Sequence, residues 1–307
     1  MTFRFLKFDL KNKKHYLIIL VALLAFILYY LSIKDEIFFY GANYINNYID
    51  YYITNYLNGD ASQLLYNNGV LLYVESEIAN IYSALYIYVI CMGSTIFKIM
   101  SIVLPIIIFH IVFKYIHDCI YKKAAIPRIT RIGYKKFIHT NLFQLSMEAG
   151  IVMTLPKILF LIILLVLFPT GTSTIHYINN AGFLTDSILY NAYSINPYTL
   201  VFLDLLLSFL YGILISFISI IIISKTEKKG LSYIKFIIFF AVSSIVLMAL
   251  NVPALLYFNS IYNYFSYFSV NIMEVNVFAP IIILTAFIIV SFIMAQFTFR
   301  KKVRYNL

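Results

Sequence analysis

Residues 99–136 read IMSIVLPIIIFHIVFKYIHDCIYKKAAIPRITRIGYKK, an apolar run that is followed by a strongly basic loop. The apolar part, Ile99–Ile116, is close to the length that a helix needs to cross a hydrocarbon core of about 30 Å. Residues 114–136 contain seven Lys and Arg, with Lys114 and Lys136 included, and such an excess of base beside a span is typical of the cytoplasmic side of a membrane. The stretch therefore predicts a transmembrane helix that ends in the cytoplasm.

The same alternation of apolar runs and basic clusters extends over all 307 residues. Of these residues 62% are apolar and only 12% are charged, whereas about a quarter are charged in soluble proteins. Twenty of the 23 Lys and Arg fall in four clusters, which lie at every second gap between apolar runs. We therefore expect an all-α polytopic membrane protein with six transmembrane helices and both termini in the cytoplasm. The predicted spans form a single transmembrane domain and cover about residues 16–33, 99–116, 146–168, 200–223, 236–256 and 280–297.

The net charge of +10 does not indicate a nucleic acid as partner, because the bases flank apolar runs and do not form one stripe. Anionic lipid headgroups are their expected partners. Ile, Asn, Lys and Tyr are abundant and Trp is absent, a composition that favours an AT-rich genome and hence a bacterial plasma membrane. The two cysteines, Cys91 and Cys119, flank one span at opposite ends, so no disulfide is expected.

Residues 34–97 form the largest predicted outer element, a long helical segment between the first two spans. It carries 11 Tyr and six Asp and Glu, but only Lys34 as a base. Such a segment suits a helix in the outer headgroup layer or one that packs on the protein's own spans. Residues 78–97 are apolar enough for a seventh span, but that crossing would place the basic loop outside. We expect instead a helix on the outer face of the membrane that leads into the second span. Whether this helix is partly inserted into the membrane stays open.

Four polar residues in or near the predicted spans are candidates for functional roles, because polar groups inside a membrane are costly: His110, Lys157, Asp204 and Asn251. Lys157 and Asp204 lie on consecutive antiparallel spans, so they can face each other, although at different depths. Two further possibilities stay open for Lys157, namely that its stem extends to the interface or that Pro156 begins a helix. Pro105 is expected to kink the second span, and Asn251 is a candidate for a hydrogen bond to another helix.

Motifs for catalysis or cofactor binding are missing from the sequence. It contains no G-x-x-x-x-G-K-[ST], no H-E-x-x-H, no G-x-S-x-G and no Cys/His pair at zinc spacing. We therefore expect no catalytic, cofactor-binding or metal-binding residues and no enzyme activity in this chain.

The loop between the second and third spans, residues 117–144, is the most informative soluble segment. Pro127 is expected to interrupt any helix there. Beyond it the sequence predicts one amphipathic basic helix, in which Ile129, Ile132, Phe137 and Ile138 alternate with Arg128, Arg131, Lys135 and Lys136. This helix would either lie on anionic lipid or dock onto a cytoplasmic partner.

In its whole layout, and in the run Ile126-Pro-Arg-Ile-Thr-Arg-Ile-Gly-Tyr134-Lys-Lys136, the chain resembles the membrane subunit of bacterial ABC-2-type exporters. The run looks like the coupling-helix region of that family, whereas the long first outer segment departs from many members. The resemblance implies a dimer, identical or with a similar subunit, and two copies of a separate cytoplasmic ABC ATPase that binds ATP and Mg²⁺. It also implies the ATPase-coupling residues, with the bases for electrostatic docking and the others as buried anchors: Arg128, Ile129, Arg131, Ile132, Tyr134, Lys135 and Lys136.

The expected function is that of a permease subunit without its own ATPase domain, which exports a hydrophobic or amphipathic substrate. The outer side, rich in Tyr, Asn and acids, suits a cationic antimicrobial or bacteriocin-like peptide; lipids, polysaccharides and drugs are alternatives. Two other classes stay open: an immunity or sensor protein that binds a peptide through residues 34–97, and a small secondary carrier. The lack of paired intramembrane carboxylates argues against ion coupling.

Overall fold

The structure, a computed structural model, describes residues 20–28, 30–31, 34, 84–92, 95–121, 126–168, 197–226, 229–249 and 279–306. Every regular element in this part of the chain is α-helical, which confirms the expected all-α class for it. Residues 20–28 are helical, and seven further helices follow within the described ranges: α1 (Ala84–Met92), α2 (Thr95–Tyr121), α3 (Ile126–Ile132), α4 (Tyr134–Leu167), α5 (Pro197–Ser224), α6 (Lys229–Ala249) and α7 (Ala279–Asn306).

Three of the described helices are long and apolar enough to cross a membrane, namely Tyr134–Leu167, Val201–Ser224 and Leu284–Arg304. They correspond to α4 and to most of α5 and α7. At 1.5 Å per residue, the 34 residues of α4 extend over about 51 Å, well beyond a hydrocarbon core of about 30 Å. These helices support the expected membrane protein. α4 is longer than the hydrocarbon core is thick, so part of it must extend beyond the hydrocarbon.

α5 is the central helix of the bundle, because it packs against α1, α2, α4, α6 and α7. Its most extensive contact is with α4, and small residues allow the two backbones to approach closely. A Cβ added at Gly212 would lie 2.5 Å from the carbonyl oxygen of Ala149 and 2.9 Å from Cα of Gly150. Close packing of this kind drives helix association where lipid removes the hydrophobic effect.

The prediction of one amphipathic helix after Pro127 is wrong. Pro127 lies in the first turn of α3, where its missing N–H breaks no intrahelical bond, and the helix ends at Ile132. Gly133 separates α3 from α4 with φ of 80° and ψ of 149°, a conformation that only glycine adopts readily. Phe137 and Ile138 belong to α4 and are buried in the core.

Two prolines lie inside helices that continue through them. Pro156 lies within α4, so the possibility that a helix begins at Pro156 is wrong. Pro105 lies within α2, and the kink expected there stays a prediction.

α1 packs against the bundle, with its described side chains covered by other helices. It contacts α4 and α5, and each of its side chains that the structure describes is buried: Ala84, Leu85, Ile87, Tyr88 and Cys91. The packing of α1 on α4 and α5 does not decide on which side of the membrane residues 78–97 lie. The outer-face helix expected there, with partial insertion open, therefore stays a prediction.

Candidate functional site

A charged cluster is buried where α1, α4 and α5 meet. Lys157 Nζ lies 2.8 Å from Asp204 Oδ1 and donates to Ser208 Oγ at 2.6 Å. Tyr88 Oη donates to the other carboxylate oxygen, Asp204 Oδ2, at 2.8 Å. Asp204 is fully buried, and Lys157 is only 7% exposed. The four side chains therefore form an internal polar network that joins three helices.

This network accounts for the persistence of two charges among apolar helices. A buried charge is costly unless an opposite charge and hydrogen bonds offset its desolvation, and both oxygens of Asp204 are bonded. Ser208 follows Asp204 by one helical turn and so faces the same neighbour. The structure thus brings Lys157 and Asp204 together, and the stem of Lys157 does not extend to an interface.

The depth of the cluster follows from the helix register. Near the basic end of the bundle, Tyr115 Oη of α2 donates to Asn141 Oδ1 of α4. Along α4, Lys157 lies about 24 Å beyond Asn141 at the helical rise, and the same distance along α2 ends near Ile99. The cluster therefore lies close to the end of α2 that is remote from the basic loop, and α1 lies beside the bundle at that level.

Tyr88 and Ser208 were not among the predicted site residues. Ser208 had a signal, because it lies four residues after Asp204 and one helix face therefore carries both. No signal in the sequence marked Tyr88, because it is one of 11 tyrosines in residues 34–97. Only the packing of α1 against α4 and α5 distinguishes it from the others.

The second candidate site is α3, the short basic helix at the opposite end of the bundle. None of its residues is buried. Five of the seven predicted coupling residues are exposed: Arg128, Arg131, Ile132, Lys135 and Lys136. The other two are partly buried against the chain's own core, namely Ile129 and Tyr134. Ile132 is therefore the apolar residue of this set that is most accessible to a partner.

Hydrogen bonds connect α3 and its surroundings to three long helices. Arg128 Nη1 donates to Tyr115 Oη of α2 at 3.2 Å, and Tyr115 in turn bonds Asn141 of α4. Tyr134 Oη donates to the backbone carbonyl of Arg300 in α7 at 2.6 Å. A displacement of α3 would therefore act on α2 and α4 together through these bonds.

The remaining predicted residues are not part of either site. His110 is exposed, and its Nδ1 lies 2.6 Å from Tyr233 Oη of α6. Asn251 lies outside the described residues. Cys91 and Cys119 are both free, as predicted. Within the described ranges, no group of three or more His, Cys, Asp or Glu could hold a metal ion.

No protein-family model matches the chain, and neither a curated protein nor a solved structure matches it. A function can therefore be inferred only from the two sites described above, the buried charged cluster and the basic helix α3.

Proposed function

We propose that this chain is the permease subunit of an ATP-driven exporter in the bacterial plasma membrane, with six transmembrane helices and both termini in the cytoplasm. It would pair with a second copy or a similar subunit and bind two copies of a separate ATPase, which supplies ATP and Mg²⁺ chemistry. Three apolar helices of membrane length support the membrane placement. The observation that carries the function is α3, the exposed basic helix that is anchored to the bundle.

α3 combines an accessible side with a fixed side, which is what a docking element requires. Arg131 and Ile132 are exposed, while Ile129 packs against the core. The bond from Arg128 to Tyr115 fixes the helix to α2. Cations with an apolar neighbour suit a protein surface that offers carboxylates around a shallow apolar groove, since charges steer the encounter and apolar contact adds affinity.

The buried cluster suits rigid-body movement of the helices that α3 contacts. α4 contains both Tyr134, next to α3, and Lys157, about 35 Å further along at the helical rise. Because Lys157 joins α4 to α5 through Asp204, a tilt that begins at α3 would carry α4 and α5 together. In this proposal the ATPase closes on ATP, moves α3, and opens the path at the permease interface.

The substrate that we propose is hydrophobic or amphipathic, and a cationic peptide is the favoured class. The support is the charge of residues 34–97, which contain six Asp and Glu but only one Lys. These acids lie outside the described residues.

The alternative functions, an immunity or sensor protein and a secondary carrier, both require no ATPase. The pairing of Asp204 with Lys157 does not favour an ion-coupled carrier.

Co-purification with an ATPase tests the proposal. The parent chain, tagged and extracted from native membranes, should retain an ATPase that mass spectrometry identifies by its Walker motifs, and the complex should hydrolyse ATP. Arg128→Glu/Arg131→Glu should abolish this retention, because it reverses two docking charges. Lys225→Glu/Lys235→Glu is the matched control, since it makes the same change of charge at two exposed lysines that are not part of α3, and it should retain the ATPase.

Arg128 also bonds Tyr115, so the double variant could fail for a structural reason. Arg131→Glu alone avoids this, because Arg131 is exposed, and it should weaken retention. Full retention by both arginine variants would refute the role of α3. The absence of any ATPase from the parent preparation would favour the immunity, sensor or carrier classes.

A further inference from the structure

The basic ends of α4 and α7 meet in a seam whose polar contacts hold one arginine in place. Arg300 Nη2 lies 3.3 Å from His139 Nε2, and Gln296 Nε2 lies 3.0 Å from the same nitrogen. Since a guanidinium can only donate, His139 Nε2 is the acceptor of the Arg300 contact. The backbone carbonyl of Arg300 also accepts the Tyr134 hydroxyl. Arg300 is thus fixed at both its backbone and its side chain.

Within the part of the chain that the structure describes, the seam contains positive charge without a matching carboxylate. Arg304, one turn beyond Arg300, is exposed, and both arginines are close enough to act electrostatically on the hydroxyl of Tyr134. Among the described residues no carboxylate pairs with either arginine, and Arg300 Nε is buried without a hydrogen-bond partner. Because Nε of Arg300 is buried, an external anion would meet the rest of this partly buried side chain and the exposed Arg304. It would supply the negative charge that no described carboxylate provides there.

The surface beside these cations is apolar and uncovered. Phe297 of α7 is 76% exposed and Ile293, one turn before it, is 56% exposed. Phe143, one turn beyond His139 on α4, is 64% exposed. Because His139 lies beside Gln296, these apolar side chains continue from the cationic end of the seam into the apolar length of the two helices. The ligand that fits must therefore carry an anion at one end and long apolar chains behind it.

We propose that the seam between α4 and α7 binds an anionic phospholipid, with its phosphate at Arg300 and Arg304 and its acyl chains along Phe143, Ile293 and Phe297. Basic sites between transmembrane helices favour anionic headgroups. Ile293 and Phe297 lie within the expected sixth span, residues 280–297, and Phe143 lies three residues before the expected third span. An acidic protein would neutralise the arginines but would not cover side chains inside a bilayer. The lipid site goes beyond the proposed transport function and requires no ATPase.

Native mass spectrometry of the purified chain, incubated with equal amounts of phosphatidylglycerol and phosphatidylcholine, tests this site. The parent should retain phosphatidylglycerol in preference to phosphatidylcholine. Arg300→Gln and Arg304→Gln should each lower its occupancy about fivefold, the usual contribution of one basic side chain at a headgroup. Lys235→Gln, at an exposed lysine of α6 outside the seam, should bind as the parent does.

Three results would overturn the lipid site. The first is equal retention of the two lipids by the parent, and the second is unchanged phosphatidylglycerol binding in both arginine variants. The third is competition by inorganic phosphate at the concentration of the lipid, which would identify a free-anion site. If Arg300→Gln does not fold, Arg304→Gln decides the matter because its side chain is exposed. If the second result comes with loss of a co-purifying ATPase in the arginine variants, the seam is a protein-docking surface and not a lipid site.

Discussion

Lys157 and Asp204 stabilise each other among apolar helices, so replacing either one alone should be costly. Lys157→Met leaves the carboxylate of Asp204 buried without its cation, and Asp204→Asn leaves the ammonium without its anion. Removing one partner of a buried pair costs about 3–5 kcal/mol. The double variant Lys157→Met/Asp204→Asn removes both charges and should unfold at a higher temperature than either single variant, as measured by thermal unfolding in detergent.

Tyr88→Phe is the control for this series, because it removes one hydrogen bond to Asp204 and leaves both charges. Its expected cost is smaller, about 1.5–3 kcal/mol for a bond to a charged acceptor. If the double variant is as unstable as the sum of the two single variants, Lys157 and Asp204 do not act as a pair.

The sequence predicted that Lys157 and Asp204 can face each other, but it left their contact undecided. Their offset in depth argued against a direct bond, and the long lysine side chain spans that offset. The role of Tyr88 could not be predicted. It depends on α1 packing against the bundle, and an apolar segment without a polar face gives no sign of what covers it.

Helix packing gives a second prediction, at the crossing of α4 and α5. Gly212→Ala would place a Cβ 2.5 Å from the backbone oxygen of Ala149, so the two helices must separate. For Gly150→Ala the three nearest atoms all belong to the ring of Phe209, the first at 2.6 Å, and a side chain can rotate away. We expect a large loss of thermal stability for Gly212→Ala and a smaller one for Gly150→Ala.

Gly230→Ala is the matched control, because a Cβ there has no atom within 4 Å. Alanine is favoured over glycine within a helix by about 1 kcal/mol, so this variant should be neutral or slightly more stable. Equal stability of the Gly212→Ala and Gly230→Ala variants would show that the two backbones are not in close contact.

The helices themselves were largely predictable, whereas their junctions were not. The spans at 200–223 and 280–297 lie within α5 and α7, because a long apolar run is a strong signal. The boundary between α3 and α4 was missed for a physical reason. Bases and apolar residues alternate without interruption across Gly133, and only its positive φ marks the point where the chain changes direction.

The placement of the whole chain in the membrane gives the last prediction, which concerns the two ends of α5. The six spans with cytoplasmic termini that we propose would put Tyr198 outside and Lys225 inside, and both residues are exposed. The physical reason is that basic residues resist translocation. In a chain freed of its own cysteines by Cys91→Ser and Cys119→Ser, a membrane-impermeant maleimide should label Tyr198→Cys in intact cells. Lys225→Cys should react only after the membrane is opened. Labelling of Lys225→Cys in intact cells would reverse the orientation of α5 and place α3 outside, where no ATPase could reach it.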